Sequence, residues 1–424
     1  MKLKRPPRLT THFLPALMLA GMGLAIPAHA DVITDWNAIA TDTLLGAAPT
    51  ERPNFGLDLP MVHVAIFDAE NAIDRRYTTY IAQPNTNATG ASQEAAAIAA
   101  AYTVLKGNFP SRRAQLDAAY ATSIAALAPG DARDRGIAVG TEVATAVAAW
   151  RAGDGRFTVV PPYIPGSDAG AYQLTPPAFA PPVNSYVPHV RPFAILRASQ
   201  FRAYGPPNLS SERFARDFNE TKRLGSATST ERTVAQTEIG LFHTENPTTF
   251  WSRNLSDFAA AQQLGLTDHA RLLAQLYVSL GDASIGCFDS KYYYNFWRPI
   301  TAIQTTLDDG NPATDTDAAW TPLVNTPPHP EYPAAHGCIA GAVAETMQRV
   351  VGQHVHFVFT SKVPGAIPHM FNYPDALAEE IIDARVYGGM HFRNSVATGV
   401  HLGRFTAEWV GEHYFKRIKK GGGR

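Results

Sequence analysis

Apolar positions recur at helical spacing along most of the chain. In the alanine-rich stretches 92–106, 112–127 and 135–150 they return every three or four residues, and Gly107 and Gly130 stand near the stops. The same period resumes at 211–223 and 230–242 and runs through 268–297. It returns in further helices from about Ala334, Pro374 and His391. No run of alternating β-branched residues is long enough to suggest a sheet, and no internal repeat is evident. The pattern predicts an all-α protein.

Helix cannot persist through 161–192, which contains nine prolines. Its aromatics Tyr163, Tyr172, Phe179 and Tyr186 predict an ordered strap on the surface rather than a loose linker. The expected layout is one all-α body over 31–424. An N-terminal helical half, 31–235, carries the strap, and a catalytic bundle follows at 236–415. The glycine-rich basic tail from Lys416 is expected to fray.

Composition narrows the class. With 45% apolar and 17% charged residues a large core is possible, and global disorder is excluded. A net charge of −1 gives no global argument for nucleic acid or an anionic membrane surface, so any anion site must be local. Lys2, Lys4, Arg5 and Arg8 precede the apolar run 13–27, and Ala28-His29-Ala30 fits a small-residue cleavage site. Residues 1–30 therefore read as a secretory signal peptide cleaved after Ala30. The mature chain is expected in the periplasm or outside the cell, with no membrane span. Only Cys287 and Cys338 are present. Export permits a disulfide between them, and two buried free thiols are the other reading.

Three clusters carry candidate chemistry. Lys291 stands seven residues before Arg298-Pro299, two helical turns, which predicts both cations on one helical face with the element ending at the proline. The residues between them include three tyrosines, a Phe and a Trp. That wall looks buried, and buried cations need a counter-charge that a bound anion supplies. Pro333-Ala334-Ala335-His336 opens a helix whose first amides lack acceptors, a natural anion site with an imidazole placed for proton exchange. Arg385 and His391 are six apart, a poor spacing for one helical face. Gly388-Gly389 between them predicts a helix end, a turn, and His391 pointing back at Arg385. Each cluster alone also has an ordinary structural reading.

In order and spacing together, the clusters resemble the superfamily of vanadium-dependent haloperoxidases and type 2 phosphatidic acid phosphatases. The shared signature is Lys-x6-Arg-Pro, Pro-Ser-Gly-His and Ser-Arg-x5-His-x3-Asp. The chain is most similar to the exported bacterial haloperoxidase-like branch, with Pro-Pro-Ala-Phe-Ala-Pro-Pro at 176–182 adding to the likeness. The resemblance implies a helical bundle of the haloperoxidase and acid phosphatase type with an additional N-terminal helical half. It implies that Lys291, Arg298, Arg385 and the Ala335 amide bind vanadate, a site phosphate also fits. His336 would be the acid–base histidine, and His391 the metal ligand or, in a phosphatase, the nucleophile. The implied reactants are hydrogen peroxide with a halide or a small organic acceptor. Tyr294, Phe296 and Trp297 would shape a halide pocket or simply pack.

Three positions depart from the signature. Ala334 replaces the motif serine and deletes a donor worth about 1.5–3 kcal/mol. Ala384 replaces the serine before the arginine. Ser395 replaces the aspartate that would orient the last histidine, which argues somewhat more against phosphatase than against peroxidase. An exported acid phosphatase working through phospho-His391 and a degenerate anion-binding protein remain the alternatives.

Overall fold

The computed structural model describes residues 31–418. The N-terminal half contains α1 (Val32–Gly46), α2 (Phe55–Asp74), α3 (Gln93–Asn108), α4 (Arg113–Ala125), α5 (Asp131–Arg151) and α6 (Glu212–Leu224). The second half contains α7 (Val234–Phe242), α8 (Pro247–Ala261), α9 (Leu266–Tyr294), the short α10 (Pro299–Gln304) and α11 (Ala335–Val350). A small antiparallel hairpin follows, β1 (Phe357–Phe359) and β2 (His369–Phe371), then α12 (Pro374–Tyr387) and α13 (Arg393–His413). The expected all-α class holds, with that hairpin as the only ladder of strands among the described residues. Residues 1–30, read above as a signal peptide, lie outside the described residues. No described helix is long and apolar enough to cross a membrane.

The architecture is built around α9. Twenty-nine residues make it about 44 Å long, and it is buried along nearly its whole length. α2 covers one side, α11 and α13 another. α2 is buried on almost every face, from Gly56 to Asn71. A helix with no polar stripe has no amphipathic period. That explains why the apolar pattern did not single it out.

Glycines set the closest approaches. A Cβ on Gly341 in α11 would sit 2.1 Å from the Val400 carbonyl oxygen, and one on Gly403 in α13 would sit 2.0 Å from that of Cys338. Both are backbone atoms that no rotamer change removes. A mid-helix Gly costs about 1 kcal/mol relative to Ala, so these glycines are kept for packing. Gly341→Ala is expected to destabilise the protein by about 1–3 kcal/mol net of that propensity gain, read as a fall in the denaturant midpoint. A midpoint that rises would show that α11 and α13 can separate freely.

The proline-rich stretch is ordered and tied down. Tyr172 N donates to the Asn295 carbonyl at 2.8 Å, and Trp297 N to that of Gly170 at 2.9 Å. Just beyond it, the amides of Phe193, Ala194 and Ile195 donate to the buried Asp282 of α9 at 2.6–2.8 Å. The first two bonds hold the segment against the turn that leads to Arg298, and the Asp282 bonds pin its end to the middle of α9. Cys287 and Cys338 are both free and buried, which is the second of the two sequence readings.

Candidate anion-binding active site

Lys291 lies in the last turn of α9 and is fully buried. Its Nζ donates to the carbonyls of Pro330 and Glu331 at 2.9 and 3.0 Å. An ammonium has three donors, so one remains. Burial pushes this lysine down to about 8, with Arg298 adding in the same direction.

Arg298 reaches the site differently from the sequence expectation. α9 ends at Tyr294, and Asn295 adopts a left-handed φ of 49°. The chain then runs extended to Arg298, the residue that caps the start of α10. Lys291 and Arg298 therefore do not share one helical face. They converge because the Asn295 turn folds the chain back. The guanidinium is fully buried and donates to the carbonyls of His329 (2.7 Å), Met390 (2.9 Å) and Pro327 (3.1 Å). Its Nη1 also lies 3.0 Å from His391 Nε2.

The third cluster has the expected helix end and turn, but α13 opens only at Arg393, and the ring nitrogens of His391 meet Arg298 and Glu331 rather than Arg385. α12 closes at Tyr387, Gly388 caps it, and Gly389 turns with φ +73°. A Cβ on Gly389 would sit 2.4 Å from the Gly225 carbonyl oxygen, so the position needs glycine twice over. Arg385 Nη1 donates to the His243 carbonyl at 3.3 Å, while its Nε is buried without a partner. Burial and the neighbouring Arg298 push Arg385 down.

His391 shows what replaced the missing aspartate. Glu331 Oε1 accepts from His391 Nδ1 at 2.9 Å and from the Phe392 amide at 3.0 Å. Ser395 does not take the imidazole: its hydroxyl donates to the Glu331 carbonyl at 3.3 Å. The carboxylate comes from the segment ahead of α11 rather than from the fourth residue after the histidine. It fixes the Nδ1–H tautomer and leaves the Nε2 lone pair to face Arg298, whose Nη1 donates to it at 3.0 Å. Burial raises Glu331 to about 7, against the pull of Lys291 and Arg298. Burial and then Arg298 hold His391 well below the ordinary histidine range, so it is neutral.

His336 stands in the first turn of α11, partly exposed to a cavity of about 450 Å³ that Ala335, Arg385 and His391 also line. Ala334 caps α11 without any side-chain bond, leaving the first-turn amides free. Burial and then Arg385 push His336 well down, so it too is neutral. His329, not singled out by the motifs, packs on Arg298 with Nδ1 2.9 Å from Nη2. Trp297 and Phe296 do not reach this cavity. They belong to a separate core with Phe214, Phe218 and Trp320, and Tyr294 packs edge-on against Tyr332. The apolar cavity wall is instead Phe288, Ile339 and Met390.

The residues fit a tetrahedral oxyanion. Three buried cations converge, and among the described residues none forms an ion pair with a carboxylate. Glu331, the acidic group facing two of them, is itself pushed up by burial and pairs with His391 rather than with a cation. An orphaned guanidinium N–H and free helix amides remain as donors. Removing charge from water without compensation is expensive, and a bound anion balances this site.

Comparison with known proteins agrees. Residues 271–420, the span that contains all three clusters, match the family model of the VCPO second helical-bundle domain. Vanadium chloroperoxidase of Curvularia inaequalis is 34% identical over 100 residues, 21% of this chain. The match spans only 16% of that protein's length. The crystal structure of the first bacterial vanadium-dependent iodoperoxidase superposes with a TM-score of 0.77 at 23% identity, covering 91% of this chain and 98% of that one. A holo-type bacterial vanadium-dependent chloroperoxidase gives 0.67 at 15%, covering 91% and 93%. The resemblance carried by the motifs is thus borne out: residues 271–420 match the model of a vanadium chloroperoxidase helical-bundle domain, and the chain has the fold of the bacterial vanadium haloperoxidases.

Proposed function

We propose that the protein is an exported vanadium-dependent haloperoxidase that oxidises a halide with hydrogen peroxide. The observation that carries this reading is Arg298 Nη1 at 3.0 Å from His391 Nε2, with the buried charges of Lys291 and Arg385 near the same imidazole and Glu331 accepting from Nδ1. Lys291, Arg298, Arg385 and the Ala335 amide would hold the oxygens of vanadate, and His391 Nε2 would bind the metal. Bound vanadate supplies a Lewis acid that activates hydrogen peroxide without changing its own oxidation state.

The chain's own groups do the rest. Neutral His336, in the first turn of α11 at the cavity, would relay a proton between the incoming peroxide and the bound oxyanion. The remaining Lys291 N–H stabilises negative charge developing on the bound oxygens, in a site that excludes bulk water. Phe288, Ile339 and Met390 offer a polarisable, weakly hydrating wall for a halide or a small organic acceptor. Export, through residues 1–30, would place the enzyme in the periplasm or outside the cell.

The choice of peroxidase over phosphatase does not rest on Ser395, because Glu331 supplies the carboxylate that either chemistry needs. It rests on the domain match at 271–420. Phosphate is expected to compete with vanadate for the cations without being turned over. The test is apoprotein incubated with orthovanadate, assayed in parallel for iodide and bromide oxidation and for p-nitrophenyl phosphate hydrolysis. Vanadate-dependent halide oxidation that phosphate inhibits supports the proposal. Steady phosphomonoester hydrolysis that disappears in His391→Ala moves the assignment to phosphatase.

A further inference from the structure

Beside the anion cavity lies a second cluster that none of the three motifs includes. His243 caps the C-terminus of α7, His369 opens β2, and Glu380 sits in the middle of α12. His243 Nε2 and His369 Nδ1 both approach one carboxylate oxygen, Glu380 Oε1, at 2.7 and 2.8 Å. One ligand atom from each residue lies within 4.8 Å of the others. Both imidazoles are buried, His369 stacked flat on Phe242 at 3.7 Å between ring centres.

We propose that His243, His369 and Glu380 bind a divalent transition-metal ion of the zinc class. Two imidazoles and one carboxylate, contributed by three different elements, are a donor set that such ions favour over calcium or magnesium. A further observation sets this cluster apart from a chance contact. The nitrogen of His369 that faces away from Glu380, Nε2, lies 2.9 Å from Glu238 Oε2 on α7. A carboxylate behind a ligating histidine fixes the tautomer that offers the other nitrogen to a metal. His243 offers Nε2 once its ring proton moves to Nδ1, which no other group occupies.

Binding replaces the proton now shared between His369 Nδ1 and Glu380, which leaves to solvent. With metal–ligand bonds near 2.0–2.1 Å and tetrahedral angles, ligand atoms stand about 3.3 Å apart. The two histidine–Glu380 spacings have to open by only about half an ångström, within the reach of side-chain torsions. The ion would brace α7, β2 and α12 together. It would also steady His243, whose carbonyl accepts from Arg385. It does not touch the vanadate ligands, so the proposal stands or falls independently of the peroxidase reading.

The experiment uses chelator-treated full-length protein, titrated with zinc by calorimetry and with cobalt(II) by visible absorption. One equivalent is expected to bind, with a rise in the melting temperature and a cobalt d–d band. His369→Gln should weaken binding about 100-fold or more, and Glu238→Gln about 10- to 100-fold. Glu238 would not be a ligand, so its effect separates a metal site from a merely structural hydrogen-bond cluster. Near-UV circular dichroism establishes that each variant is folded, and Glu380→Gln provides a near-isosteric third variant. Absence of zinc and cobalt binding at millimolar concentration overturns the proposal. So does binding that His369→Gln and Glu380→Gln, both folded, leave unchanged.

Discussion

Arg298→Ala is expected to weaken orthovanadate binding by two to three orders of magnitude, equivalent to about 3–4 kcal/mol. The guanidinium is fully buried and stands 3.0 Å from the nitrogen that would hold the metal. An oxyanion there loses a fixed cation that water does not replace. The apoprotein also changes, because the carbonyls of His329, Met390 and Pro327 lose their donor. Each unsatisfied group costs about 1–3 kcal/mol, so the variant should melt lower as well. Partial relief of repulsion with Lys291 and Arg385 offsets some of that loss. Arg298→Lys separates charge from geometry. It keeps the cation but loses the planar fork, and should sit between wild type and Arg298→Ala in affinity. Calorimetric affinity unchanged in a folded Arg298→Ala protein would rule out this placement of the anion.

Glu331→Gln is expected to lower vanadate affinity and halide oxidation by about 10- to 100-fold while leaving the fold intact. The glutamine carbonyl can still accept from His391 Nδ1 and the Phe392 amide, so the variant removes the charge while keeping both hydrogen bonds, and places an NH2 where Oε2 is now buried without a partner. Charge matters because it makes the imidazole a better donor through Nε2. Glu331→Ala should be worse, since Nδ1 would then be buried without a partner and the ring free to adopt the other tautomer. Activity equal to wild type in Glu331→Gln would mean that the carboxylate only orients the ring. If Glu331→Ala were also active, the role assigned to Glu331 would be wrong.

Much of this site was legible in the sequence, and the reasons it was partly illegible are physical. Lys291, Arg298, His336, Arg385 and His391 announce themselves because motif spacing survives wherever backbone geometry is strict. Gly388-Gly389 is an example, where Gly389 needs a positive φ and has a backbone neighbour 2.4 Å from its missing Cβ. Glu331 was hidden because the expected carboxylate lay four residues after the histidine, and spacing says nothing about a group delivered from another segment. The available signal was local: His329-Pro330-Glu331 runs directly into the Pro333 cluster, and two of those side chains touch Arg298 or His391. The seven-residue spacing of Lys291 and Arg298 suggested one helical face, yet the left-handed Asn295 breaks the helix between them. The aromatic run before Arg298 looked like a halide pocket and is core. Aromatic residues bury equally well in either place, so composition alone does not separate the two.

The fold shows the same division. Amphipathic helices such as α5 and α6 were visible from their period. α2 was not, since it is buried all round and has Pro60 within it. The β1–β2 hairpin has only three residues per strand, too short for alternation to stand out.

The central claim is that one buried oxyanion sits among Lys291, Arg298 and Arg385, bonded to a histidine that Glu331 orients. A crystal structure of the protein grown with orthovanadate tests it most directly. The account predicts vanadium bonded to His391 Nε2, its oxygens contacted by the three cations and the Ala335 amide. The His391–Glu331 hydrogen bond should persist near its present 2.9 Å. Vanadate found elsewhere, or held by the cations with His391 Nε2 unbonded and Glu331 turned away, would contradict it.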